Sequence, residues 1–438
     1  MYRKVYEYLL KWKSSKYRKP LILQGARQVG KTFSILEFAH KNYDNVAYFN
    51  FQTNPTLNET FKENILPEYL IPVLSQIAQQ TIVKEKTLIV FDEIQLCERA
   101  LTSLKYFCEM APEYHIIAAG SLLGIAVNRE KFSFPVGKVD RFTMYPMDME
   151  EFMIALGQQE LVNKIKYCYR NNSNMPVALH NIAMDIYKQY LVIGGMPEVV
   201  KLFVENKDYN ICRHVQQTIL ADYLDDMSKY NTNNEIKKTR LTYDNITVQL
   251  SKKNTRFQYK LLKKGARAKE FENAIEWLSI SNLISKVYMI EQVKMPLENY
   301  RNIDSFKVYM SDTGLLCAKQ GIHVDNILYN QEMLNDFKGG LVENYVNGQL
   351  VINKFKTYYW QSQRSAEIDF VIQIDNDVIP IEVKSADNTK SKSLAVYVDT
   401  YKPKYSIKIS TKNFAYEDNK KIIPLYAVFL IATSGLAD

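Results

Sequence analysis

The stretch Gly25-Ala26-Arg27-Gln28-Val29-Gly30-Lys31-Thr32 has the residue types and spacing of a phosphate-binding loop. Glycines let such a loop close around an anion with its N–H groups turned inward. The helix that must follow adds unpaired N–H groups and the positive end of its dipole. Lys31 is then placed to reach the β- and γ-phosphates of a nucleotide, and Thr32 to hold Mg²⁺ through its hydroxyl. Further along, Thr87-Leu88-Ile89-Val90-Phe91-Asp92-Glu93 is an apolar run that ends in two acids. That is the pattern of a buried parallel strand whose carboxyl end opens onto a ligand. Asp92 is the expected residue of the Mg²⁺ shell, and Glu93 the expected base for an attacking water. A third run, His115-Ile116-Ile117-Ala118-Ala119-Gly120-Ser121, ends in a hydroxyl that would sit beside the γ-phosphate. A Gly-Ser pair after a strand is also an ordinary turn.

A second group of charged residues lies near the C-terminus. Glu367-Ile368-Asp369-Phe370-Val371-Ile372-Gln373-Ile374 alternates as a strand, Asp375-Asn376-Asp377 turns, and Val378 to Ser385 returns. A period of two puts Glu382 and Lys384 on one face, with Ile381 and Val383 on the other. Across the hairpin Asp369 comes near that pair, and Glu343 on an upstream helix is a further candidate ligand. Acids that hold Mg²⁺ and a lysine that steadies a phosphate are the parts of a metal-dependent phosphodiesterase. An exposed hairpin with a cross-strand ion pair has the same spacing.

These residues need a framework. Strands at 21–23, 46–51, 87–91 and 115–119 alternate with helical segments at 33–39, 56–80 and 101–107, which predicts a parallel α/β sheet. Another strand is expected over 141–145, stopped by Pro146, and a helix from Met149. Asn171-Asn172-Ser173-Asn174-Met175-Pro176 and Asn231-Thr232-Asn233-Asn234 read as polar joints. Residues 241–290 read as several short helices and then an extended piece, the order of a winged helix-turn-helix. Lys252, Lys253, Arg256, Lys260, Lys263, Lys264, Arg267 and Lys269 crowd there with few acids between them. Such a face would track nucleic-acid phosphates, or it is a solvated or domain-contacting surface.

At 438 residues, with 47% hydrophobic and 24% charged residues, the chain has the composition of about three ordinary globular domains of ~150 residues. A net charge of +8 permits an anionic partner without requiring one. No apolar run reaches the ~20 residues of a membrane helix; the longest late one, 425–432, is strand-length. Five scattered cysteines without a C-x-x-C pair indicate neither a disulfide framework nor a zinc site, and reduced thiols in a cytoplasmic protein are expected.

Taken together, Gly25 to Thr32, Phe91 to Gln95, Ala119 to Ser121, Gly194-Gly195-Met196-Pro197-Glu198, Met310 to Leu316, Leu341-Val342-Glu343, Glu367 to Phe370 and Ile381 to Lys384 resemble the AAA-type ATPases that carry a C-terminal DUF4143 domain. The resemblance implies a RecA-like ATPase core over 1–170 and a helical lid with a winged-helix region over 171–300. It also implies an α/β domain similar to PD-(D/E)xK nucleases over 301–438. ATP and Mg²⁺ are the implied cofactors, and DNA and further copies of the chain the implied partners. Asp369, Glu382 and Lys384 match the three core positions of the nuclease pattern, and Glu343 its helical acid. Nuclease-like folds outlive nuclease chemistry, so an inert binding platform is the alternative. Where the family often has Gly-Arg, this chain has Gly137-Lys138. Arg141 and Arg129 are the substitutes expected for an arginine offered to a neighbour's γ-phosphate.

Overall fold

Leu21, Ile22 and Leu23 are fully buried, as are Leu88 to Phe91 and Ile116 to Ala119. Runs apolar on both faces form strands only inside a sheet covered on both sides. In the computed structural model these runs become neighbouring parallel strands. The structure describes residues 1–121, 135–229, 233–251, 256–329, 337–362, 366–385, 392–417 and 419–432. Arg129, Lys252, Lys253 and residues 231–232 lie outside them. The chain divides into two compact units, one of residues 2–145 with 280–282, the other of residue 1, 146–279 and 283–438.

The first unit runs α1 (Val5–Ser14), β1 (Leu21–Gly25), α2 (Lys31–Asn42), β2 (Asn45–Asn50), α3 (Thr56–Glu63), α4 (Pro67–Ile77), β3 (Thr87–Asp92), α5 (Glu98–Met110), β4 (His115–Ser121) and β5 (Asp140–Met144). Its sheet has the order β2-β3-β4-β1-β5, with the neighbouring strands parallel. This is the α/β arrangement that the alternation of strands and helices predicts. Phe49, Phe51, Phe61 and Phe91 pack one face, the rings of Phe61 and Phe91 meeting edge-on at 5.6 Å. Each such buried side chain contributes about 1.5–3 kcal/mol relative to exposure. β4 lies between β1 and β3, so the ends of all three strands open on the same edge.

The second unit begins with α6 (Met149–Ala155), α7 (Gln159–Arg170), α8 (Val177–Ile193), α9 (Pro197–Asn206), α10 (Tyr209–Lys229), α11 (Asn233–Leu250) and α12 (Ala268–Ile280). It continues through β6 (Ile284–Ile290), β7 (Arg301–Met310), α13 (Thr313–Lys319), α14 (Val324–Leu328), α15 (Phe337–Ile352), β8 (Tyr358–Gln361), β9 (Glu367–Ile374) and β10 (Asp377–Val383). It ends with α16 (Lys392–Tyr401), β11 (Ser406–Ser410), β12 (Ala415–Glu417) and β13 (Lys420–Pro424). The sheet is mixed, in the order β12-β13-β11-β10-β9-β8-β6-β7. The boundary expected at 300 falls between β6 and β7, which pair antiparallel. The boundary expected at 170 falls inside this unit.

Two local readings change. Residues up to 250 form one long α11 rather than short helices, because Tyr243, Ile246 and Leu250 bury one stripe and no Gly or Pro interrupts it. The strand-length run after 424 forms a 3₁₀ turn, Leu425–Leu430, with Leu425 to Phe429 buried. No helix among the described residues is long and apolar enough to cross a membrane.

The motifs at 194–198 and 310–316 meet in this unit. Asp312 caps α13 by accepting from Leu315 N at 2.8 Å and also accepts from Gly195 N at 2.6 Å. Gly194 has φ +73°, and a Cβ there would stand 2.3 Å from Asp312 Oδ1. Burial pushes the Asp312 carboxyl up to about 6.

Candidate functional site

The loop between β1 and α2 begins at Gly25, where a Cβ would stand 2.3 Å from the Met144 carbonyl of the neighbouring β5. Gly30 has φ +87° and opens α2. Lys31 Nζ donates to Gly25 O at 3.1 Å and Ala26 O at 2.7 Å, inside its own loop. Burial pushes its pKa down to about 8, against the pull of Glu93 and Asp92. Around it run Ala26, Arg27, Gln28 and Val29, with Gln28 at φ +64°. The loop is also pinned from outside: Arg3 donates to Val29 O at 3.0 Å and to Tyr145 O at 2.8 Å.

Asp92 ends β3 and is 5% exposed. Thr32 Oγ1 donates to its Oδ2 at 2.9 Å, Tyr48 hydroxyl donates to the same oxygen at 2.6 Å, and Glu93 N donates to Oδ1 at 3.0 Å. Thr32 and Asp92, expected to share one ion, are therefore in contact. A hydroxyl and a carboxylate are the hard oxygen donors that Mg²⁺ takes. Glu93 follows in the left-handed region, φ +54°, which turns the chain out of the strand. Gln95 Nε2 donates to Glu93 Oε2. The backbone of Ser121 is in register with Gly25, so the end of β4 lies beside the loop. Tyr48 and Arg3 are the residues that the sequence reading missed, and Gln95 stood in it only as part of the 91–95 motif. Tyr48 had one signal, a hydroxyl two positions before the end of an apolar strand, but nothing local says that β2 borders β3.

Lys138 donates to Glu109 at 2.9 Å, just before β5. Arg141 pairs with Ile22, at the opposite end of β1 from Gly25. Neither lies at its own chain's phosphate loop.

In the second unit, Phe370 pairs with Ile381, so the next residues outward, Asp369 and Glu382, share a face of the β9–β10 hairpin. Lys408 of β11 is in register with Glu382. Lys384 Nζ lies 3.1 Å from Glu382 Oε1, the ion pair of the simpler sequence reading. Glu382 is 2% exposed, and its Oε2 has no hydrogen-bond partner. Asp369 Oδ2 accepts from Val383 N at 2.7 Å. Its pKa is raised by burial and by the Glu343 carboxylate, while Lys307 pulls it down.

Lys307, unremarked in the sequence, is the centre of this region. It projects from β7 with a side chain 1% exposed, hydrogen-bonds Glu367 Oε1, and lies 3.8 Å from Glu343 Oε2. Tyr309 hydroxyl donates to that same Glu343 oxygen at 2.8 Å. Among the described residues no three His, Cys, Asp or Glu side chains form a group able to hold a metal ion. Glu343 and Asp369 thus face a lysine, and Glu382 lies beside Lys384 and opposite Lys408. The exposed face expected at 252–269 keeps Lys260, Lys263, Lys264, Arg267 and Lys269 exposed.

Comparison with known proteins gives three successive matches along the chain. Residues 17–153 match the model of an AAA domain, residues 184–326 a domain of unknown function, DUF8612, and residues 338–428 a domain of unknown function, DUF4143. No curated protein matches the chain. Among solved structures, the Walker-type ATPase PABY2304 of Pyrococcus abyssi is similar at 14% identity and a TM-score of 0.44, over 73% of this chain and 95% of that one. The ORC2 protein of Aeropyrum pernix in its ADP form is similar at 12% identity and a TM-score of 0.31, over 75% and 92%. The ORC1 protein of the same organism, in complex with DNA, is similar at 11% identity and a TM-score of 0.28, over 76% and 92%. With a complete phosphate loop at 25–32 and its two acids at 92 and 93, the chain joins an N-terminal AAA domain to a C-terminal DUF4143 domain.

Proposed function

We propose that the protein binds and hydrolyses ATP with Mg²⁺ at the first unit, and that this cycle serves a nucleic-acid-related second unit. The contact of Thr32 with Asp92 beside the Lys31 loop carries the reading, because it puts phosphate-binding and ion-binding groups at one sheet edge. The loop N–H groups and Lys31 hold the phosphates, and Thr32 and Asp92 would hold the ion. Mg²⁺ supplies charge neutralisation of the β- and γ-phosphates. Glu93, oriented by Gln95, takes the proton of the attacking water. Ser121 ends the strand beside the loop. Exchanging Glu93→Gln keeps the shape and removes the base. Turnover should then fall ~10²–10⁴-fold while ATP still binds. A variant that turns over at the parent rate moves the role to another residue.

For the second unit the charges favour a binding platform over a phosphodiesterase. Lys307 supports this, since it satisfies acids that the hydrolytic reading reserves for a metal. The exposed cations from Lys260 to Lys269 suit nucleic-acid phosphates, and binding through them weakens steeply as salt rises.

A further inference from the structure

We propose that Lys307 occupies the cation position beside Glu343, Glu367 and Asp369, so that the second unit takes no divalent metal there. The inference concerns only the second unit and rests on its resemblance to metal nucleases, not on ATP chemistry in the first.

Carboxylates near one another repel unless a positive charge lies among them. A metal nuclease meets that need with Mg²⁺. Here an ammonium group meets it, tied to β7 and 1% exposed. Glu367 accepts its hydrogen bond, and Glu343 Oε2 lies at 3.8 Å while also accepting from Tyr309. The ring centroid of Tyr359 is 5.0 Å from Nζ, which adds a cation–π contact.

A divalent ion bound by the same acids would lie within roughly 5 Å of that ammonium. Repulsion at such a range weakens binding on the order of 10³-fold, even in a well-screened interior. The remaining acid, Glu382, already has Lys384 at 3.1 Å and Lys408 on the next strand. One atom argues the other way. Glu382 Oε2 is buried and has no partner, and an ion shared with Asp369 would satisfy it. The experiment must therefore distinguish the two positions.

Mn²⁺ is titrated into the nucleotide-free full chain carrying Asp92→Asn, which removes the ion position of the first unit, and free Mn²⁺ is counted by electron paramagnetic resonance. No site tighter than about 1 mM is expected. Adding Lys307→Met should create one at least ~10²-fold tighter, and a further Glu343→Gln should abolish it. Because Lys307→Met leaves acids unpaired, it can fail to fold; the parent titration then decides alone. A micromolar site in that parent that disappears with Asp369→Asn or Glu382→Gln overturns the proposal. So does a folded Lys307→Met chain that gains no Mn²⁺ site. ATP turnover of the chain without Asp92→Asn, measured on its own preparation, reports separately on the first unit.

Discussion

At the scale of residues, Asp92 is the most closely constrained group of the first site. Its Oδ2 accepts from Thr32 and from Tyr48, and the latter holds the carboxylate as a neighbouring carboxylate or carbonyl holds a metal-binding histidine. Tyr48→Phe removes one donor and leaves the strand intact. Turnover at limiting Mg²⁺ should fall about 10-fold or more, recover in excess Mg²⁺, and leave ATP affinity unchanged. Equal loss at all Mg²⁺ concentrations would assign Tyr48 to something other than Asp92. Lys31 offers a pH test. Its pKa is about 8 in the free loop, and phosphates beside it would raise the value. Above pH 8 the free lysine is largely neutral, so binding ATP must take up a proton. Calorimetry at pH 8.5 in two buffers of different ionisation enthalpy should show that uptake, and Lys31→Ala should lose it with most of the affinity.

At the scale of elements, what could be read from sequence was local. The phosphate loop is eight consecutive residues, β3 carries its acids at its own end, and the β9–β10 hairpin turns within three residues. Arg3 reaches Val29 and Tyr145, and Lys307 reaches Glu343 and Glu367, across separations that no periodicity encodes. A buried lysine looks like any strand lysine until the partner strands are known. His115, on β4, is another such residue. It sits 4% exposed, with Nδ1 2.7 Å from the Tyr43 hydroxyl, and burial pushes its pKa down to about 4. Its folded value lies below the unfolded value near 6.5, so the unfolded chain binds the proton first on acidification. The first unit should hold its full share of stability above about pH 6.5 and lose it as pH falls towards 4. Denaturant midpoints across that range should drop in the parent and flatten in His115→Phe. An equal slope in both would place the acid sensitivity elsewhere.

At the scale of the whole molecule, Lys138 and Arg141 belong to the end of the β1–β5 pair away from the phosphate loop. If either serves catalysis, it serves a neighbouring copy. With a non-hydrolysed ATP analogue the chain should self-associate in light scattering, and turnover per chain should rise with concentration. A constant specific rate in a monomer means that one chain holds a complete site. The second unit raises a different matter. β6 and β7 precede α15, yet they complete the sheet that β8 to β13 build. Asn413 and Met175, 238 residues apart, exchange hydrogen bonds of 3.0 and 2.8 Å. A DUF4143 fragment expressed from residue 301 would leave β8 with an unpaired edge, open to strand addition by another chain. Any activity or precipitation recorded for such a fragment would describe a torn sheet. A truncation that keeps the second unit whole has to begin near Pro146, and proteases that nick the native chain should release the helices and the mixed sheet as a single piece.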